Sequence, residues 1–294
     1  MTKRLLTLPL IALLFACNGS SSDNNNVQNR SKRAMRYGWQ GELYGDVESI
    51  VERDYDVRNR LHGEEFIPTQ TETIKFNEHG HVDAIYRDTD CDDIIDNTII
   101  YQYDERNHVV GYVHSYKDEN IGYTAKYETD DRGNITLEAY YNKIGISQFG
   151  LRTIYNSDNQ PIEISHYNEN SELKSKELIK YYHNGEIESC VEYNADGKIK
   201  YEFNTTLNSR GNISSIYYIH YDDKGKIEDI IEQEYYYNEQ GQLIKLVNIN
   251  KPKREYHEQC FEYDSKGNVV KIMRYESEAR ILQTVNERSI TYRN

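Results

Sequence analysis

Five aspartates occupy one short segment of the sequence, and they are the side chains whose type and spacing point most directly to chemistry. Carboxylates at alternate positions can converge on one hard cation, and Ile95 stands where calcium loops carry an apolar residue. The spacing therefore gives a candidate calcium site. Its ligands would be Asp88, Asp90, Asp92 and Asp96.

Two features of this segment depart from a calcium loop. Asp93 replaces the glycine that makes the sharp turn, and Ile99 stands where a bidentate Glu or Asp would complete the coordination shell. The departures favour a solvated acidic hairpin tip, with calcium as the alternative. No other cofactor is predicted.

Catalytic motifs give no candidate residues. The sequence contains no H-E-x-x-H, G-x-S-x-G or Walker loop. A carboxylate pair of the glycosidase type cannot be recognised from a single sequence, so a glycan-acting enzyme stays as a third alternative. The prediction is a non-enzymatic protein.

The elements that must position these side chains are hairpins, and the clearest corner lies between Phe261 and Ile272. Asp264 suits the first position of a type I turn, because its carboxylate can accept hydrogen bonds from N–H groups just ahead. Gly267 then takes the left-handed conformation that returns the chain as a bulged hairpin. Tyr263 and Val269 flank the corner.

This corner recurs along almost the whole chain. Aligned on its glycine, the copies at 107, 133, 159, 185 and 211 are 26 residues apart, with further corners between them. One turn about every 13 residues predicts up-and-down antiparallel strands. We expect an all-β meander of about 17–18 strands in 26-residue two-strand repeats, forming a twisted, coiled or partly closed sheet. The twelve glycine positions are Gly45, Gly80, Asn107, Gly133, Asn159, Ser171, Gly185, Gly197, Gly211, Gly225, Gly241 and Gly267.

The corners resemble the YD repeat of RHS-type proteins, as in Tyr103-Asp104 and Tyr263-Asp264, over about 45–294. That resemblance implies a β-ribbon wound into a spiral sheet or shell that encloses or displays another segment. The run from Tyr181 to Ile187 is also similar to MORN-type variant repeats of bacterial immunity proteins. An immunity-type or toxin-associated protein is therefore the second alternative.

The first residues of the chain are typical of an export signal. A basic start precedes the short apolar run from Leu5 to Phe15, and Leu14-Phe15-Ala16-Cys17 resembles the bacterial lipoprotein signal. We expect a signal peptide over 1–16, a lipidated Cys17 with a disordered tether over 17–36, and the repeat domain over 37–294. The tether carries a basic cluster that would either touch anionic head groups or stay solvated. Its members are Arg30, Lys32, Arg33 and Arg36.

Composition limits the classes of partner that the protein can bind. The formal net charge of −14 argues against nucleic acid. Tyrosine supplies most of the aromatic surface, with 28 Tyr against 6 Phe, and such rings suit half-exposed sheet faces. The predicted function is an exported, lipid-anchored protein of the bacterial cell envelope, at the outer membrane, whose Tyr-rich sheet surface binds an envelope protein or glycan. A one-residue slip reverses a strand's faces, so no binding ring is assigned.

Overall fold

A computed structural model of the chain describes residues 43–60, 63–117 and 122–293, which form eighteen β-strands. Within these ranges there is no helix long and apolar enough to cross a membrane. The predicted signal peptide, Cys17 and the tether lie outside the described residues. The strands are β1 Val47–Arg60, β2 Gly63–Phe76, β3 Val82–Asp88, β4 Asn97–Tyr103, β5 Val109–Tyr116, β6 Gly122–Thr129, β7 Ile135–Asn142, β8 Ser147–Tyr155, β9 Pro161–Asn168, β10 Leu173–Tyr181, β11 Ile187–Asn194, β12 Ile199–Leu207, β13 Ile213–Tyr221, β14 Ile227–Tyr237, β15 Leu243–Asn250, β16 Glu255–Tyr263, β17 Val269–Glu276 and β18 Ile281–Tyr292.

The sheet closes into a barrel. Each strand pairs antiparallel with the next one along the chain, and β1 also pairs with β18, from Val47 opposite Tyr292 to Asp56 opposite Thr284. The predicted all-β antiparallel meander and its strand number are confirmed. The prediction of a coiled or partly closed sheet is wrong, because the two strands that would form open edges satisfy each other's backbone groups.

The corners have the predicted conformation. All twelve aligned positions have positive φ, between 60° at Asn159 and 93° at Gly267. At the clearest copy, the Asp264 carboxylate accepts hydrogen bonds from the N–H groups of Lys266 and Asn268, both at 2.9 Å. The Gly267 N–H donates to the Asp264 carbonyl at 3.1 Å. These bonds explain why Asp or Asn precedes the left-handed residue by three positions.

The tyrosine before the corner has a function that phenylalanine could not supply. Its hydroxyl donates to the backbone carbonyl just after the preceding corner on the same rim, as from Tyr155 to Ile135 at 2.9 Å and from Tyr263 to Leu243 at 2.6 Å. Burial raises the pKa of both hydroxyls to about 12, so they remain protonated donors at neutral pH. Successive two-strand units are thereby tied together. The same bond is made by Tyr103, Tyr181 and Tyr237.

The wall of the barrel has two different faces. Cross-strand pairing places Ile50, Ile74 and Ile85 on one face, and all three are buried. The two larger apolar clusters share this face, and the concave side of a closed barrel is shielded by its own wall, so we assign it as the inner face. The outer face carries exposed side chains such as Arg53 and Lys75. It also carries a small buried cluster of Val57, Leu282 and Val285 where β1 pairs with β18.

The inner face is buried in patches. Its two larger apolar clusters, one on β1 to β4 and one on β9 to β13, do not merge. Cys190 belongs to the second and is 1% exposed, as expected for a small core residue. Cys91, Cys190 and Cys260 are all free thiols.

The closure is sealed at one rim by Asn268, which is 1% exposed. Its amide accepts from the N–H of Tyr44 at 2.6 Å and donates to the Tyr44 carbonyl at 2.9 Å and to the Tyr292 hydroxyl at 2.7 Å. The Tyr292 hydroxyl donates in turn to Asp264 at 2.6 Å. Burial opposes ionisation of Asp264, but the hydrogen bonds from Tyr292 and two N–H groups outweigh it and hold the pKa of that carboxyl below its ordinary value.

We predict that Asn268→Ala lowers the free energy of unfolding by about 1 to 3 kcal/mol, because it removes the partner of the part-buried backbone groups of Tyr44 and of the Tyr292 hydroxyl. Asn212→Ala is the matched control, since Asn212 follows Gly211 in the same corner position away from the closure. The control should cost less than about 1 kcal/mol. Equal losses in urea denaturation would contradict a special role for Asn268.

Candidate functional site

The acidic segment forms the corner between β3 and β4. Carboxylate oxygens of Asp88, Asp90 and Asp96 lie within 4.8 Å of one another, so three of the four candidate ligands are brought together. Asp92 is outside that group. Ile99 lies in β4 with its side chain buried on the inner face, so the position that would close a calcium shell is turned away.

The carboxylates of this corner already have protein partners. Asp88 accepts from the N–H groups of Asp92 at 3.2 Å and Asp93 at 2.9 Å. Asp96 accepts from the Thr89 N–H at 2.7 Å, and the hydrogen bonds from Thr89 lower the pKa of Asp96. Asp93 adopts φ 66°, the left-handed conformation that a glycine would otherwise supply.

Charge repulsion remains within the corner. Partial desolvation, followed by the charges of Asp92 and Asp96, raises the pKa of Asp90. The Lys117 ammonium lies 3.7 Å from Asp96 and offsets part of this repulsion. The geometry is that of a hairpin tip organised by its own side chains, and a cation would have to compete with these bonds.

We predict that millimolar calcium leaves the melting temperature unchanged, because Lys117 and backbone N–H groups already occupy the carboxylates. Magnesium at the same ionic strength is the control. A rise specific to calcium that disappears in Asp90→Ala would show that the corner is a calcium site.

The second candidate site is a group of aromatic rings on the inner face of β4 to β8. The ring centroids of Tyr101 and Tyr112 are 5.6 Å apart, and those of Tyr112 and Tyr140 are 6.4 Å apart. Tyr140 stacks on Phe149 at 4.2 Å with an interplanar angle of 17°. We call this group the aromatic surface. It consists of Tyr101, Tyr112, Tyr123, Tyr127, Tyr140 and Phe149.

Part of the aromatic surface is accessible. Tyr123 is 40% exposed and Phe149 is 46% exposed, although both lie on the inner face by their cross-strand partners. Tyr112 is more enclosed, and burial raises its pKa to about 12. Exposed rings beside buried rings form a surface on which a flat apolar group can stack.

Polar groups adjoin the rings. The Tyr140 hydroxyl donates to Glu138 at 2.5 Å. His114 stacks on Tyr116 at 4.4 Å, and its Nε2 lies 3.3 Å from the side-chain oxygen of Asn97. Burial, followed by the nearby positive charge of Arg87, lowers the pKa of His114, so the imidazole is neutral at pH 7.

Two pairs of acidic residues face each other across neighbouring strands of the inner face. Glu52 is opposite Glu72, and each carboxylate has an arginine nearby, with Arg288 Nε 3.1 Å from Glu52 and Arg87 Nε 2.5 Å from Glu72. These four side chains form two ion pairs, in which the glutamates are buried and the arginines half-buried.

The second pair has the same character. Glu177 is opposite Glu192, with His166 Nε2 3.0 Å from Glu177 and Lys200 Nζ 2.6 Å from Glu192. Sequence reasoning missed both pairs and the aromatic surface. Each depends on cross-strand register, and the bulge at each corner makes the register unreadable from sequence.

The fold and these surfaces define a closed antiparallel β-barrel with an aromatic and acidic inner face. No family model matches the chain, and no curated protein is similar to it in sequence at a significant level. The YD-repeat and MORN resemblances are therefore not confirmed.

Solved structures offer distant likenesses. A porin-like protein from Bacteroides uniformis ATCC 8492 is 10% identical, with 85% of this chain and 99% of that chain covered and a TM-score of 0.46. A porin-like protein from Bacteroides vulgatus ATCC 8482 is 7% identical, with coverage of 82% and 97% and a TM-score of 0.33. The Tc holotoxin pore of Photorhabdus luminescens is 12% identical, with 81% of this chain but 15% of that chain covered and a TM-score of 0.29. At these scores we draw no conclusion from them about function.

Proposed function

We propose that this protein is an exported, lipid-anchored and non-enzymatic binding barrel of the bacterial envelope, and that it binds a glycan on its aromatic surface. The observation that carries the proposal is the set of inner-face rings on β4 to β8, of which Tyr123 and Phe149 are exposed. Sugar rings present flat C–H faces to such aromatic groups, and their hydroxyls need hydrogen-bonding partners at the edge.

The edge of the aromatic surface supplies those partners. Glu138 is a carboxylate acceptor beside Tyr140, and the neutral His114 offers a donor or acceptor next to Asn97. Neutral rings with a few fixed polar groups are the composition expected of a small-ligand site. A protein segment, the other partner class that the sequence suggested, would use the same rings.

The width of the barrel favours the binding of a ligand inside it. Eighteen strands spaced by about 4.8 Å and tilted by about 40° give a backbone diameter of about 36 Å for a round barrel. Side chains reaching inward from both walls do not fill such a width. The separate apolar clusters of the inner face fit this geometry.

The polar character of the outer face favours membrane attachment through another part of the chain. A barrel wall in contact with lipid carries an apolar band outward, whereas the outer face here carries exposed ionic side chains along its strands. We infer that this wall faces water and that a lipid on Cys17 provides the attachment. The exposed ionic residues include Arg53, Lys75, Lys126, Arg152, Lys180, Glu262 and Glu287.

We predict that Tyr123→Ala combined with Phe149→Ala weakens binding of a glycan found by array screening by about tenfold, since each stacked ring contributes about 0.5 to 1.5 kcal/mol. Ile154→Ala is the control, because Ile154 is 47% exposed on the outer face of the same strand as Phe149. The measurement is calorimetric titration with the screened glycan.

Three results would reject the glycan proposal. The first is the absence of any glycan ligand, and the second is equal loss of affinity in the Ile154→Ala control. The third is turnover of the glycan that is abolished by Glu177→Gln, which would establish the enzyme alternative.

We also predict that Cys17→Ser releases the protein from the membrane fraction and abolishes labelling by a lipid precursor. Cys91→Ser, at a half-buried thiol of the acidic corner, is the control and should leave both unchanged. A Cys17→Ser protein that stays in the membrane fraction, together with an unlabelled parent protein, would contradict lipid anchoring.

A further inference from the structure

We propose that the unpaired edge of β2, over 63–68, is a docking site for an extended basic segment of a partner protein, which adds to the sheet as one further strand. The starting observation is a difference in strand length. β1 and β2 have fourteen residues each, whereas β3, on the other side of β2, has seven. Part of β2 therefore extends beyond the strand that pairs with it.

This extension leaves one side of β2 without a strand partner. β1 pairs with β2 as far as Arg60 opposite Gly63, but β3 pairs with it only as far as Asp88 opposite Thr71. Within the described ranges, no strand pairs with 63–70 on the side away from β1. The edge is also open to solvent. Its exposed residues are Gly63, Glu64, Glu65, Phe66 and Pro68.

The alternation of the ladder decides which backbone groups face the open side. In antiparallel sheets, every second residue directs its N–H and C=O groups towards the same neighbour. The Asn77 N–H donates to the His81 carbonyl on the β3 side at 2.8 Å. Counting back by twos along β2, across the one extra residue at its bulge with β1, places Phe66 and Glu64 outward. Each of these presents a donor and an acceptor, whereas Pro68 presents only an acceptor.

An added strand would gain more than backbone hydrogen bonds at this edge. Phe66 is 47% exposed and lies edge-on to Tyr55, with ring centroids 6.4 Å apart. Across the hairpin it is opposite Val57, which belongs to the small buried cluster of the outer face. Strand addition combines main-chain bonds, which give affinity, with side-chain contacts, which give specificity. Phe66 supplies the apolar contact.

Charge selects a basic partner and disfavours a second copy. Glu64 and Glu65 are exposed on the edge. The ion pair of Glu65 with Arg60 is weak, because the two side chains are 46% and 63% exposed. Edge-to-edge pairing of two copies would set the glutamates of one copy against those of the other, and Pro68 would interrupt the shared ladder. A basic strand meets no such repulsion.

The acidic corner between β3 and β4 favours the same partner. It follows directly after Asp88, where β3 ends, and Asp90 and Asp93 are exposed there. An antiparallel strand added to the edge would run in line with β3 and begin beside this corner. The N-terminal end of the added strand would therefore meet negative charge. This docking site is separate from the aromatic surface, and it does not depend on the proposed glycan function.

Calorimetric titration of the full chain with a short synthetic peptide tests the docking. The probe alternates valine and lysine, so that its valines face Phe66 while its lysines face Glu65. The control is the same peptide with every backbone N–H methylated, which keeps the charge and removes the ladder donors. The probe should bind and slow hydrogen exchange over 63–68, and the control should bind about tenfold more weakly. Equal binding of the two peptides, or protection elsewhere in the chain, would overturn the proposal.

Charge reversal on the protein gives a second measurement. Glu64→Lys combined with Glu65→Lys should weaken binding of the probe by about tenfold. Glu128→Lys combined with Glu188→Lys is the matched control, since it changes the net charge equally at exposed positions of β6 and β11. Equal losses would reduce the attraction to the overall charge of the protein and overturn the proposal.

Sedimentation of the parent protein tests the second copy as occupant. The protein should remain monomeric, and a dimer that Glu64→Lys with Glu65→Lys dissociates would assign the edge to self-association instead. Glycan binding should be the same in the parent protein and in this double variant. Failure of the docking proposal therefore leaves the glycan proposal intact, and the reverse also holds.

Discussion

Backbone pairing between β1 and β18 is the interaction on which the rest of the structure depends. It removes the two edges that an eighteen-stranded meander would expose, and it converts one face of the sheet into an interior. The closure is reinforced by Asn268, whose amide satisfies both backbone groups of Tyr44 and contacts Tyr292. Without this pairing, neither the buried carboxylates nor the enclosed rings would have a shielded environment.

The repeated corner makes such a long meander regular enough to close. Ten of the twelve aligned corners use an Asp or Asn to bind backbone N–H groups, and all twelve use a left-handed residue to return the chain. The tyrosine before such a corner donates to a carbonyl of the preceding unit, as Tyr181 does to Pro161. These contacts run between neighbouring units on one rim, so they place several units relative to the one before, and small angular steps add up to a closed wall.

Closure also explains how a chain with only 37% hydrophobic residues can fold. A barrel of this width has no single dry core to fill, so local apolar clusters alternate with ion pairs and hydrogen-bonded tyrosines on the inner face. Because the inner face is not covered by one continuous core, rings such as Phe149 remain accessible. The accessibility of these rings, on which the proposed binding depends, is therefore a consequence of how the wall is built.

The sequence by itself determined the elements. The corner residues, the 26-residue period and the strand number follow from local rules, because a left-handed residue and an Asx turn act within five positions of the chain.

Only the tertiary structure decided closure and the faces. Pairing of Val47 with Tyr292 joins residues from opposite ends of the sequence, and no local signal encodes it. The faces depend on a bulge at each aligned corner and at the turn between β7 and β8. Each bulge shifts parity by one residue, and the one between β7 and β8 decides whether Tyr140 or Tyr141 points inward. The acidic corner, visible at once in the sequence, proved to be occupied largely by its own N–H groups, whereas the aromatic surface became visible only when five strands were set side by side.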